Sequence, residues 1–141
     1  MYLARTELAG FDTLPDEDKC RAILETVRLF IFVNKLEIAR FKLPPLYASG
    51  IVYRFQGESD DWQDACRMLQ TMAASCNSLA AYRVAELQLD GEAARPWIRT
   101  QTTRRPDGSI LDVFHVIVKR PLPPPHDWED PSITLGMPDV G

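Results

Sequence analysis

The sequence predicts an α+β fold: helices first, then a small antiparallel sheet packed on a helix that begins at Cys76. Three observations predict it. Up to Gly91, apolar residues recur at helical spacing. Beyond Gly91 the character changes, and residues from about 94 to 103 and from about 110 to 119 read as strands joined by "RRPDGS" (104–109). Proline followed by Asp-Gly is a turn signal, so the two strands form a hairpin. The second of them, "ILDVFHVIVK", is apolar on both faces from Val113 to Val118, as expected of a central strand. With 141 residues and 45% hydrophobic content, the chain suits a single domain, 1–141, with a helical part at about 13–91 and a β part at about 92–137.

The first helix is expected from about Pro15 to Arg40. Asp16 or Thr13 can cap it, and Glu17 and Asp18 suit the positive end of its dipole. Ile23, Val27, Phe30, Ile31 and Ile38 form its apolar stripe, which Asn34 interrupts. Leu43-Pro44-Pro45 ends it, because proline lacks a donor and restricts the residue before it. In "LYASGIVYRF", Gly50 allows a turn, and Ile51, Tyr53 and Phe55 alternate as in a short strand. A second helix is expected from near Ser59, with Asp60 and Asp61 in its first turn. Trp62, Ala65, Cys66, Leu69 and Met72 would share one face. The third helix runs from Cys76 to Leu89, burying Leu79, Ala80, Val84 and Leu87, and Gly91 suits the left-handed cap position. "PLPPP" is a stiff loop, and "WEDPSITLG" holds one more short strand, stopped by Pro131.

A net charge of −4 and a pI near 5.1 argue against nucleic acid as the main partner, since phosphate binding needs a basic surface. The N-terminus "MYLARTELAG" lacks the apolar core of a signal peptide, and the run "LFIFV" is too short to span a bilayer. Cytoplasmic synthesis, and no membrane partner, are therefore expected. The three cysteines, Cys20, Cys66 and Cys76, show no zinc-type spacing. Cys76, His115, His126 and Asp130 offer metal-ligand types, again without a recognisable spacing, and no glycine-rich phosphate loop is present.

The chemistry-bearing candidates are Cys76, His115 and Asp130. A thiol reacts as thiolate, which a helix N-terminus and a cationic neighbour both favour. His115 lies on an apolar strand, where its polar tip needs a partner. Asp130, in "WEDPS", can accept the proton on the far nitrogen of His115. Each residue also has a plainer reading. Cys76 could be a small core hydrophobe, His115 a satisfied core histidine, and Asp130 a turn-starting residue before proline. His126 is expected to be solvated, and Asp60 and Asp61 to be first-turn charges. Together, Cys76, His115 and Asp130 match nucleophile, base and orienter.

"SCNSLAAYRVAELQLDGEAARP", then "FHVIV", then "EDPS" resembles the transglutaminase-like cysteine-peptidase superfamily. In that superfamily a cysteine opens a helix, a "G-x-x-A/P-A-R" segment follows, and His and Asp lie on successive strands. With "LPPLYASGIVYRF" and "DDWQD", the chain more specifically resembles small transglutaminase-like proteins of tailed phages and prophages, over roughly Cys20 to Met137. The phage-type motif is close to Gly-Asp-Cys-Glu/Asp-Asp-Leu-Ala. Here Ala74-Ser75-Cys76-Asn77-Ser78-Leu79-Ala80 keeps the cysteine, leucine and alanine but not the acids or the glycine.

The resemblance implies a papain/transglutaminase-like core and a catalytic set of Cys76, His115 and Asp130, with no cofactor and no metal. It implies acyl transfer or hydrolysis on a peptide or protein amide. The Cys76 N–H is expected as oxyanion donor, with Trp62 or Gln63 as side-chain candidates. The alternative is a non-catalytic structural or assembly component of a phage particle, partnered by other virion proteins.

Overall fold

The computed structural model describes residues 8–55, 62–104 and 106–138; for 101–103 and 110–113 only the backbone course is described. Among these residues the chain is α+β, with four α-helices, a two-stranded parallel pair and a three-stranded antiparallel sheet. The helices are α1 (Asp16–Phe41), α2 (Ala65–Thr71), α3 (Cys76–Leu89) and α4 (Pro131–Thr134). The strands are β1 (Val52–Tyr53), β2 (Ala73–Ala74), β3 (Arg95–Arg104), β4 (Ile110–Lys119) and β5 (Trp128–Glu129). β4 is central, between β3 and β5. No helix among the described residues is long and apolar enough to cross a membrane.

Helix α3 organises the core. Ala80, Ala81, Val84 and Ala85 pack with Val27 and Ile31 of α1 and with Val116 and Val118 of β4. From the same helix, Leu79 and Tyr82 pack with Leu46, Ile51, Ala65 and Met68. The helix is thus buried beyond the single expected face; Asn77, Ser78, Ala81, Tyr82 and Ala85 are buried as well. Its small residues let α1 and the sheet approach closely. Gly50 serves a similar close approach beside this core. Its φ of +84° favours glycine, and a Cβ there would lie 2.9 Å from the Met72 side chain.

Several local expectations need correction. No side chain caps α1. Pro15 holds the N-cap position, Asp16 is already helical, and Thr13 lies in a preceding 3-10 turn where its hydroxyl donates to the Gly10 carbonyl. The helix ends at Phe41, with Lys42 left-handed at φ 52°, before the prolines are reached. The expected start of the second helix at Ser59, with Asp60 and Asp61, lies outside the described residues. The α2 observed begins only at Ala65, after Asp64, whose carboxylate accepts from Arg67 N. Trp62 and Gln63 precede it outside any helix or strand. Pro131 does not merely stop a strand. It opens α4, since its missing N–H is harmless in a first turn.

Asn34 explains its own interruption of the α1 stripe. It is fully buried, and its Oδ1 accepts from Ala65 N at 2.8 Å, capping α2 from another helix.

Candidate active site

Strand β2 delivers the chain into α3. Ala74 is buried, Ser75 takes the N-cap with extended backbone, and Cys76 is the first helical residue. Ser75 makes no side-chain cap bond. Its Oγ donates instead to Asn77 Oδ1 at 2.6 Å, and the same oxygen accepts from Ser78 N at 2.6 Å. Ser78 Oγ accepts from Gln63 N at 2.9 Å. Ser75, Asn77 and Ser78 thus form a buried, mutually bonded cluster around the helix entrance. No acidic residue lies in the first turn of α3.

His115 sits on β4 and is 4% exposed. Its Nε2 lies 2.6 Å from Asp130 Oδ2. The Cys76 side chain is the imidazole's other interacting neighbour. With Nε2 held by the carboxylate, Nδ1 is the nitrogen left for sulfur. Burial works against the imidazolium, but the Asp130 and Cys76 contacts outweigh it and hold the His115 pKa up to about 9. The structure therefore brings Cys76, His115 and Asp130 together. His126 is exposed beside the proline loop, and no group of three or more His, Cys, Asp or Glu residues suited to a metal is found among the described residues.

Asp130 is fixed from several sides. It is the N-cap of α4, where Oδ1 accepts from Ser132 N at 3.1 Å and Ile133 N at 3.4 Å, which leaves Oδ2 for His115. The preceding residue, Glu129, is clamped harder. It accepts from Tyr47 Oη and Arg83 Nε, both at 2.6 Å, and from Arg120 Nη1 at 3.2 Å. Arg83 rises from α3, so this ion-pair network ties two-residue β5 to the helix that carries Cys76. Arg83 also meets Glu86 at 3.0 Å, and Arg120 meets Glu92 at 2.6 Å. Glu129, within "EDPS", carries no signal of this role in the sequence. Two of its three partners, Arg83 and Tyr47, lie 46 and 82 residues away, beyond any local pattern.

Of the two side-chain candidates for an oxyanion donor, only Gln63 shows its donor engaged elsewhere. Gln63 Nε2 donates to Thr71 Oγ1 at 2.8 Å, and the Trp62 ring packs on Phe30 with centroids 5.6 Å apart. Of the first-turn amides of α3, that of Ser78 is taken by Asn77 Oδ1, whereas that of Cys76, the first helical residue, has no intrahelical acceptor and is the backbone candidate.

Such an arrangement can hold a thiolate–imidazolium pair oriented by a carboxylate. The chain matches no family model, no curated protein and no solved structure, so these side chains alone carry the functional reading.

Proposed function

We propose that this protein is a cysteine-dependent enzyme acting on peptide or protein amides through Cys76, His115 and Asp130, with a papain/transglutaminase-like core. The observation that carries the reading is the His115 imidazole held between Cys76 and the Asp130 carboxylate, 2.6 Å away.

In the first half-reaction the Cys76 sulfur attacks the carbonyl carbon of the amide. The developing oxyanion accepts from the Cys76 amide at the start of α3. His115 gives its proton to the leaving nitrogen, the C–N bond breaks, and a thioester remains. In the second half, water or an amine attacks the thioester. His115 removes its proton, the C–S bond breaks, and the thiolate returns. The Asp130 carboxylate orients the ring and stabilises the imidazolium. No cofactor enters either half.

A second reading rests on the altered surroundings of Cys76. Ser75, Asn77 and Ser78 are buried and bond one another. That cluster suits a structural or assembly component of a phage particle which keeps the fold without turnover.

One experiment separates the two: the pH profile of Cys76 alkylation in the wild type and in His115→Ala, run beside thermal melts. The enzyme reading expects the enhanced neutral-pH reactivity of Cys76 to disappear in the variant. A stability loss of about 1–3 kcal/mol should accompany it, from the cavity and the unpaired Asp130. An unchanged alkylation profile with only a lowered melting temperature makes His115 a core residue and favours the structural reading.

A further inference from the structure

Along β3, Arg95, Trp97 and Arg99 turn outward and are exposed, while Ala94, Pro96 and Ile98 turn toward the core. The register sets Arg95 opposite Lys119, Trp97 opposite Ile117 and Arg99 opposite His115, and β5 sets Trp128 opposite Lys119. Directly opposed residues share a face of a sheet. This face therefore carries His115, Trp97 two residues along the strands or about 7 Å away, and Trp128 four residues along or about 13 Å away, and the two tryptophans form a platform. Trp97 is 44% and Trp128 39% exposed, with ring centroids 6.1 Å apart. Lys119 Nζ lies 4.1 Å from the Trp128 centroid, and the Arg95 guanidinium 5.5 Å from that of Trp97. Beside the platform opens a cleft of about 310 Å³ lined by Ala93, Arg95, Lys119, Arg120 and Pro121.

The charges here do not cancel. Lys119 is met by Asp127 at 3.1 Å, and Arg120 by Glu92 and Glu129. Among the described residues, no carboxylate is paired with Arg95 or Arg99. A chain of net charge −4 thus keeps a local cationic surplus around exposed aromatic rings, close to the proposed catalytic histidine. Tryptophan and arginine dominate binding hot spots, because they combine apolar area with directed donors.

We propose that this face binds an acidic peptide segment of the substrate, with carboxylates on Arg95, Arg99 and the cleft and an apolar side chain over Trp97 and Trp128. The proposal rests on the amide-directed reading of Cys76 and adds a substrate class to it. A peptide fits better than a nucleic acid. A long polyanion is repelled by the net charge of the whole chain, whereas a few carboxylates respond to the local surplus.

The test uses the full chain carrying Cys76→Ala, so that binding is read without chemistry. The probes are acetyl-Glu-Leu-Glu-Leu-Glu-amide, its glutamine counterpart and an eight-residue oligothymidylate, titrated by calorimetry and tryptophan fluorescence. The acidic peptide is expected to bind with a Kd of about 1 mM or below, at least about tenfold tighter than the glutamine peptide. Binding should weaken as salt rises. Arg95→Glu and Trp128→Ala should each weaken it at least about fivefold. Should Trp128→Ala melt early, Arg95→Glu, an exposed change, carries the test. Three results would each overturn the proposal: no saturable binding of the acidic peptide at about 10 mM, equal binding of the two peptides, or indifference to Arg95→Glu. Tighter binding of the oligothymidylate would assign the face to nucleic acid instead. Because Cys76 is absent, failure here leaves its chemistry standing. An inert Cys76 in the alkylation experiment would in turn leave the binding face standing.

Discussion

Two helix entrances lie close together in this chain, and each carries a cysteine. Cys66 is the second residue of α2 and Cys76 the first of α3. Both are partly buried. Position at a helix start should favour a thiolate in both. Their neighbours decide otherwise. The amides of α2 are fully used: Asn34 accepts from Ala65 N, Glu37 from Cys66 N, and Asp64 from Arg67 N. Two of those acceptors are carboxyl groups beside the sulfur. Burial first, then Glu37 and Asp64, push the Cys66 thiol up to about 11. At the entrance to α3 the first turn holds no acid, and the side chain facing the sulfur is an imidazole backed by a carboxylate. A helix N-terminus alone therefore does not lower a thiol pKa; at Cys66 burial first, and then the acids beside it, override it.

The largest expected effect is a rate difference between these two thiols. At pH 7 a group with a pKa near 11 is ionised to about one part in ten thousand, so Cys66 should alkylate very slowly. Mass mapping after limiting iodoacetamide should find Cys76 modified at least about a hundredfold faster than Cys66 in the folded protein. Cys20 should lag as well, since burial and then Asp16 raise its pKa. Preferential labelling of Cys66 or Cys20 would break the comparison.

Asp130→Asn tests the other half of the contrast with a smaller effect. The amide oxygen can still cap α4, but an NH2 group replaces the carboxylate facing Nε2. The imidazolium then loses its acceptor, so Cys76 alkylation at neutral pH should fall about tenfold or more. The pH dependence of stability should change with it. His115 has its pKa raised in the folded state to about 9, against about 6.5 in the unfolded chain. Its contribution to stability is thus fully present below about pH 6.5 and lost as pH rises through about 9. Wild-type melts should show that loss between pH 7 and 10. In Asp130→Asn the loss should be smaller and shifted to lower pH. Identical melting profiles would remove Asp130 from the electrostatics of the site.

The two entrances also differ in how much of each the sequence made visible. The α3 entrance is local. A cysteine, small apolar residues at helical spacing and Gly91 after the last turn mark both ends, and the observed helix keeps the expected limits. The partners of Cys76 are distant in the chain but of distinctive type, a histidine in an apolar strand and an aspartate before proline. The α2 entrance depends on Asn34 and Glu37, about thirty residues upstream on α1. Only the break that Asn34 makes in the α1 stripe hinted at them. Asp60 and Asp61 looked like the first-turn acids, whereas Asp64 caps the helix observed. The short strand expected before Pro131 is β5, but the helix that Pro131 opens was not expected. One turn capped by Asp130 suffices to build it.

The smallest expected effect comes from neutralising the acid beside Cys66. In Glu37→Gln the side-chain oxygen can still accept from Cys66 N, so the cap of α2 survives. What goes is a carboxyl group whose pKa is already raised, by burial first and then by its hydrogen bond with Asp64. A carboxyl with a raised folded pKa costs stability once the pH passes its unfolded value, and the cost persists above the folded one. Glutamine removes that cost and donates to Asp64 instead, so the variant should melt slightly higher at pH 7, by about 1–3 °C. The Cys66 thiol loses one of the charges that hold it up, but burial, the leading cause, remains. Its alkylation should rise by less than about tenfold, while Cys76, which faces His115 rather than Glu37, keeps its rate. A variant in which Cys66 overtakes Cys76 would show that the acids alone separated the two thiols and that His115 contributed nothing.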